Sequence, residues 1–273
     1  MSNASDPLRL GVSTSLAQGW LTPEELQVIE DSPVAAIELM APAMSGATPE
    51  ALARTLAALA RSRLERWSLH TPFGREIDLS SLDEPVRQRG LAVVAEAMRF
   101  AAQVGCRVAV VHPSSEPIAD DERAARFAQS RRSLAAVAEL AAATGVRAAL
   151  EPLPRTCLGN TLEEVDGLLA DLPAYWLGIC LDVNHINVRE DVVAAIYHLR
   201  DRLLTLHISD NDGADERHWM PGEGIIPWGE VVAALRDVRY GGPFLYEVKR
   251  GEAGLAARLA EIAANYGALV AAP

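Results

Sequence analysis

Short runs of aliphatic and β-branched residues recur along the chain, each separated from the next by a stretch with helical patterning. That alternation predicts a parallel sheet covered by helices. Eight runs read as strands: residues 8–13, 35–39, 66–70, 107–112, 146–151, 177–182, 203–208 and 244–248. Between them, Thr22-Pro23-Glu24-Glu25 and Thr48-Pro49-Glu50 each set a capping hydroxyl before a first-turn proline and acid, which marks a helix start. Gly105 and Gly145 stand where a helix would end and turn back into the sheet. Eight strand–helix units predict an α/β fold that closes, a (β/α)8 TIM barrel with outer helices. An open doubly wound sheet is the alternative, but no glycine-rich dinucleotide fingerprint follows the first strand.

Composition sharpens this picture. With 273 residues, 49% of them hydrophobic, and no linker or low-complexity break, a single barrel domain is expected over residues 8–273. Alanine-rich stretches at 51–60 and 135–143 suit closely packed helices. Residues 1–7 are polar and patternless, and Ser2-Asn3-Ala4 resembles an expression scar, so a disordered or appended N-terminus is expected there. No apolar run approaches the roughly 20 residues of a bilayer span, and no basic segment followed by an apolar block opens the chain; the expectation is a cytoplasmic protein without a membrane partner. Cys106, Cys157 and Cys180 form an odd set without CxxC spacing, which predicts buried reduced thiols. A net charge of −12 weighs against nucleic acid as a partner, although a local basic groove would reverse the field at one site. Oligomeric state is open, a homo-oligomer included.

The candidate chemistry lies at the strand ends. Of six histidines, only His198 falls away from the C-terminal end of a predicted strand or the loop after it. His70, His112, Glu151, Asp182, His207 and Glu247 close strands three to eight in turn, and a closed barrel brings such ends to one mouth. His185 follows Asp182 by three residues, and Glu216 and His218 lie on one side of an extended segment; both spacings suit chelation. A lone strand-end histidine is more often a hydrogen-bonding residue than a ligand. Acids and imidazoles at six consecutive strand ends are another matter, because burying them without a cation is costly. Mixed imidazole and carboxylate donors favour Zn, Mn, Co or Fe over Ca, with Mg also compatible. Around this set, Arg155 and Lys249 are candidates for a substrate oxygen or phosphate, and Trp20, Phe73 and Trp219 for an apolar wall. The plainer readings are a surface arginine and a solvated lysine. Trp67 and Trp176 are expected in packing.

Four segments resemble the xylose-isomerase-like barrel superfamily, which includes ketose 3-epimerases, inosose dehydratases and the endonuclease IV type of AP endonuclease. They are Val110-Val111-His112-Pro113, Leu150-Glu151-Pro152-Leu153-Pro154-Arg155, Leu181-Asp182-Val183-Asn184-His185-Ile186-Asn187 and His218-Trp219-Met220-Pro221-Gly222-Glu223-Gly224. Strands five and six look like the ketose 3-epimerases, whose Glu-Pro-Leu-Asn-Arg and Leu-Asp-x-x-His-x-Asn motifs match here except for Pro154. That likeness implies one metal on Glu151, Asp182, His207 and Glu247, with His185 contacting substrate. Strand seven departs from it: where the epimerases carry a substrate-binding arginine three residues before Pro-Gly-x-Gly, this chain has His218. There it is similar to the endonuclease IV type, whose three metals would fall on His70, His112 and Glu151; on Glu151, Asp182, His207 and Glu247; and on His185, Glu216 and His218. Glu216 replaces that family's Asp. The resemblance thus implies a divalent-metal cofactor of one to three ions.

The leading expectation is a metal-dependent isomerase or epimerase of a small sugar or sugar phosphate, in which Glu151 and Glu247 move a proton through a metal-stabilised enediolate. A polyol dehydratase shares that chemistry. The alternative is a multi-metal AP endonuclease, for which a DNA-binding surface is thin: Phe73-Gly74-Arg75 suits a groove, but no recurring basic and aromatic cluster accompanies it. A non-catalytic sugar binder is the third reading, and the complete acid pair argues against it.

Overall fold

Eight parallel strands run in the order β7-β6-β5-β4-β3-β2-β1-β8. They are β1 (Arg9–Ser13), β2 (Ala36–Met40), β3 (Glu65–His70), β4 (Val108–Val111), β5 (Arg147–Leu150), β6 (Leu177–Asp182), β7 (Leu203–His207) and β8 (Pro243–Tyr246). The computed structural model describes residues 8–17 and 19–270, so the expectation for residues 1–7 lies outside the described residues. β7 meets β8 through a parallel bridge between Ile208 and Tyr246, where the Ile208 amide donates to Leu245 O and the Glu247 amide to Ile208 O. The nearly closed sheet is the predicted (β/α)8 barrel, and every strand agrees with its predicted run to within two residues at either end.

A principal helix follows each strand: α1 (Pro23–Glu30), α2 (Pro49–Leu59), α3 (Glu84–Val104), α4 (Asp120–Thr144), α5 (Leu162–Leu169), α6 (Val192–Leu199), α7 (Trp228–Asp237) and α8 (Leu255–Val270). Local sequence explains their limits. Thr22 caps α1 by accepting from the Glu25 amide while the Glu25 carboxylate reaches back to the Thr22 amide, a complete capping box. Thr48 caps α2 in the same way through the Ala51 amide. Gly105 and Gly145 end α3 and α4 in the left-handed conformation, with φ of 79° and 74°. Among the described residues no helix is long and apolar enough to cross a membrane.

Side chains that alternate along each strand fall into two cores. The larger lies between sheet and helices; the smaller fills the barrel lumen and includes Ala36, Trp67, Val110, Cys180, Leu204 and Leu245. Simple alternation from these lumen residues places Glu38, His112, Asp182 and Glu247 inside. It would turn His70 and His207 outwards, because Trp67 and Leu204 already face in. Two bulges correct this. The β2–β3 register passes from Ile37↔Arg66 to Glu38↔Ser68, skipping Trp67, and the β6–β7 register passes from Ile179↔Leu203 to Cys180↔Thr205, skipping Leu204. The extra residue on β3 and on β7 resets the side-chain parity above it, and both histidines enter the lumen. Trp67 Nε1 donates to Thr205 Oγ1 at 3.1 Å, joining the two bulges across the barrel.

Candidate active site

Above the apolar lumen, imidazoles and carboxylates crowd the C-terminal mouth, the functional end of this architecture. The deepest group is Glu151, Asp182, His207 and Glu247, whose potential ligand atoms all lie within 4.8 Å of one another. His207 Nδ1 is its hub, at 3.1 Å from Glu247 Oε2, 3.2 Å from Glu151 Oε1 and 3.8 Å from Asp182 Oδ2. Asp182 caps the short helix Val183–Ile186 with Oδ1, which accepts from the amides of Asn184 and His185 at 2.7 and 3.0 Å. Its Oδ2 is buried without a hydrogen-bond partner. An orphaned carboxylate oxygen beside two further carboxylates fits a divalent cation, since hard oxygen and imidazole donors suit such an ion.

Glu151 is shared with a second group, its Oε2 standing 3.2 Å from His70 Nε2 and 3.0 Å from His112 Nε2. His70 Nδ1 donates to Thr71 O at 3.0 Å, which turns Nε2 towards the mouth and Glu151. A third group holds His185, Glu216 and His218, with His185 Nε2 at 2.9 Å from Glu216 Oε2. His185 Nδ1 bonds Pro152 O at 3.0 Å and His218 Nδ1 bonds Glu247 O at 3.1 Å, so each ring is oriented by a backbone carbonyl.

Charge in the mouth is strongly coupled. Burial opposes ionisation of Glu151, but the imidazoles of His207 and His112 outweigh it and hold the carboxyl well below its usual range. Glu247 is lowered to about 2 against its own burial, chiefly by His207. Burial likewise opposes the protonated forms of His70 and His185, yet Glu151 lifts His70 to about 9, and Asp182 and Glu216 lift His185 to about 10. For His112, burial prevails and the value falls.

A cavity of about 350 Å³ opens above these groups and is lined in part by His70, His112, Glu151, His185, Glu216, His218 and Glu247. Phe73, 49% exposed, forms part of its wall, stacked on His112 with ring centroids 4.1 Å apart. Arg155 also lines the cavity, in a left-handed conformation with φ of 54°. Its guanidinium is taken up by Glu116, Asp215 and Glu216, so it ties the loops after β4, β5 and β7 together and has no free fork for a substrate anion. Trp20 and Lys249 lie outside the cavity. The Trp20 ring packs inward, donating to Thr55 Oγ1 at 3.0 Å, because that loop folds onto α2. Lys249 is exposed because β8 ends at Tyr246 and the chain leaves the extended path; its amide donates to His218 O. Trp219 is likewise absent from the cavity lining; the guanidinium of Arg217 lies over its ring.

The loop carrying Glu216 and His218 is anchored by Asp210, which is fully buried. Oδ1 accepts from the amides of Asn211 and Ile226, and Oδ2 from the Gly222 amide and Trp228 Nε1. The loop returns so close that a Cβ on Gly224 would lie 2.1 Å from Asn211 O. The Gly222-Glu223-Gly224 segment is therefore a tight turn. Besides Asp210, a buried carboxylate beside the candidate ligands escaped the sequence reading: Glu38, inside β2, whose oxygens lie 3.1 and 3.2 Å from His207 Nε2. Its signal was present as a single acid in the apolar run Ala35-Ala36-Ile37-Glu38-Leu39.

A (β/α)8 barrel with acids and imidazoles gathered at its C-terminal mouth defines a class, and comparison with known proteins gives the family. Residues 26–266 match the xylose isomerase-like TIM barrel model, and the chain belongs to that family. It is 28% identical to an uncharacterised protein of Methanocaldococcus jannaschii over 187 residues, 66% of this chain and 64% of the other. It is also 28% identical to a ketose 3-epimerase of Arthrobacter globiformis over 175 residues, 62% of this chain and 59% of that enzyme. The chain thus spans less than two thirds of the length of these relatives. The crystal structure of a D-tagatose 3-epimerase-like protein superposes with a TM-score of 0.84 at 24% identity, covering 97% of this chain and 98% of that one.

Proposed function

We propose that this protein is a divalent-metal-dependent isomerase or epimerase of a small sugar or sugar phosphate. The observation that carries this reading is the convergence of Glu151 and Glu247, which both line a cavity of about 350 Å³, on His207 Nδ1 at 3.2 and 3.1 Å, beside the buried, unpartnered Oδ2 of Asp182. Kinship with ketose 3-epimerases supports the sugar class. Glu151, Asp182, His207 and Glu247 would hold the cation, which would supply Lewis acidity to carbonyl and hydroxyl oxygens of the substrate.

The chain's own residues supply the proton traffic. Glu151 and Glu247 both line the cavity, and both are held ionised by neighbouring imidazoles, the state a general base requires. One removes the proton from the carbon next to the carbonyl, giving an enediolate, and the other returns a proton from its own side. Asp182 and His207 serve as ligands. His185, fixed between Pro152 O and Glu216, lines the cavity in which the substrate would lie. Phe73 shields the wall beside His112 from water.

Replacement of Glu151 or Glu247 by Gln tests the roles. Assayed on a panel of free and phosphorylated ketoses, each variant should lose about 10²–10⁴ in kcat and lose deuterium wash-in at the reacting carbon, with the fold intact. Undiminished turnover by both variants would overturn the acid–base assignment. Assembly of all three candidate ligand groups favours one second reading, a multi-metal phosphodiesterase acting at abasic DNA. The carboxylates of Glu116, Asp215 and Glu216 at the mouth oppose a polyanion. Nicking of an abasic duplex at catalytic protein concentration would reverse the order of the two readings.

A further inference from the structure

We propose that Glu38 is a positioning residue that holds His207 with Nδ1 towards the cation, an inference that rests on the reading of His207 as a metal ligand. Glu38 is fully buried in the lumen, one layer beneath the mouth, and is not part of the cavity lining. Its oxygens lie 3.1 and 3.2 Å from His207 Nε2, and its Oε2 accepts a further bond from Ser68 Oγ at 2.8 Å. Ser68 reaches it because the β3 bulge skips Trp67 and pairs Ser68 directly with Glu38. Among the described residues the only ion-pair partner of Glu38 is His207.

An imidazole has two nitrogens, and the bond made by one decides what the other presents. With Nε2–H donated to Glu38, the lone pair of Nδ1 is left facing Glu151, Asp182 and Glu247. The carboxylate also makes the ring a stronger donor, since negative charge behind an imidazole raises its basicity. A buried acid in an otherwise apolar strand is expensive for folding alone, and a leucine there would fill the same space at lower cost. Glu38 therefore acts through His207, without contact with the reacting atoms.

The test is cation affinity rather than turnover. Co²⁺ and Mn²⁺ affinities of the full chain, measured by competition with a chelator and by Co²⁺ visible absorption, should fall by about 10- to 100-fold in Glu38→Leu. Glu38→Gln keeps the acceptor and loses the charge, so it should fall less; it also carries the test if the Leu variant does not fold. Glu38→Leu placed on His207→Ala should weaken binding no further. Parent-like affinity and spectrum in both folded Glu38 variants, with His207→Ala impaired, would overturn the proposal and leave the functional reading standing. Parent-like affinity in His207→Ala would remove both.

Discussion

Replacing Asp210 by Asn changes one atom and removes a charge, yet the bonding around this side chain makes it a severe substitution. The two carboxylate oxygens each face two donors: Oδ1 the amides of Asn211 and Ile226, at 2.9 and 3.3 Å, and Oδ2 the Gly222 amide and Trp228 Nε1, both at 2.8 Å. An asparagine amide flipped either way turns its NH2 onto one of these pairs. Two buried donors then lose their acceptor, at about 1–3 kcal/mol each, or about 2–6 kcal/mol in all. For a chain of this size that lowers Tm by roughly 5–20 °C. Urea unfolding followed by tryptophan fluorescence reads the loss directly, and Trp228 is itself one of the reporters. The same variant should release the loop bearing Glu216 and His218, seen as proteolytic cleavage between residues 211 and 225. An Asp210→Asn protein within about 0.5 kcal/mol of the parent, with the loop still protected, would refute the account of how this part of the mouth is held.

Two further outcomes follow from the charges at the mouth. Because His70 and His185 are raised to about 9 and 10, above the unfolded value near 6.5, their pairing stabilises the metal-free fold fully below about pH 6.5 and is lost as pH rises through 9–10. Metal-free Tm should therefore decline between pH 7 and 10, while cation affinity climbs over the same range and calorimetry in buffers of different ionisation enthalpy records proton release. A flat Tm across that window would contradict the pairing. Arg155→Met should lower kcat/KM about 10-fold and by similar factors for free and phosphorylated ketoses, because its guanidinium ties loops and its half-exposed ion pairs are worth only about 1 kcal/mol. A loss confined to the phosphorylated substrate would restore it to anion binding.

What the sequence disclosed was whatever repeats or acts locally. Apolar runs located the strands, and Thr22, Thr48, Gly105 and Gly145 set helix limits because capping depends on a few neighbouring residues. The strand-end acids and histidines were legible because the barrel sends every such end to one place. The bulges at Trp67 and Leu204 were not, since register belongs to a pair of strands and only their partners reveal the skipped residue. Arg155 looked available because its partners, Glu116 and Asp215, stand 39 and 60 residues away. That Trp20 and Lys249 fall outside the cavity has a related cause: loop direction is decided by tertiary contacts such as Thr55 and His218.

The two bulges have a consequence for how such a protein changes over evolutionary time. Each divides its strand into a lower part that packs the barrel and an upper part that faces the chemistry, with independent phases. Repacking the lower part by substitution cannot swing His70 or His207 away from the mouth, whereas a single insertion or deletion between the two parts would do so at once. The scaffold is thus free to drift in composition while its reactive groups stay aimed, and length, rather than residue type, is what β3 and β7 must conserve.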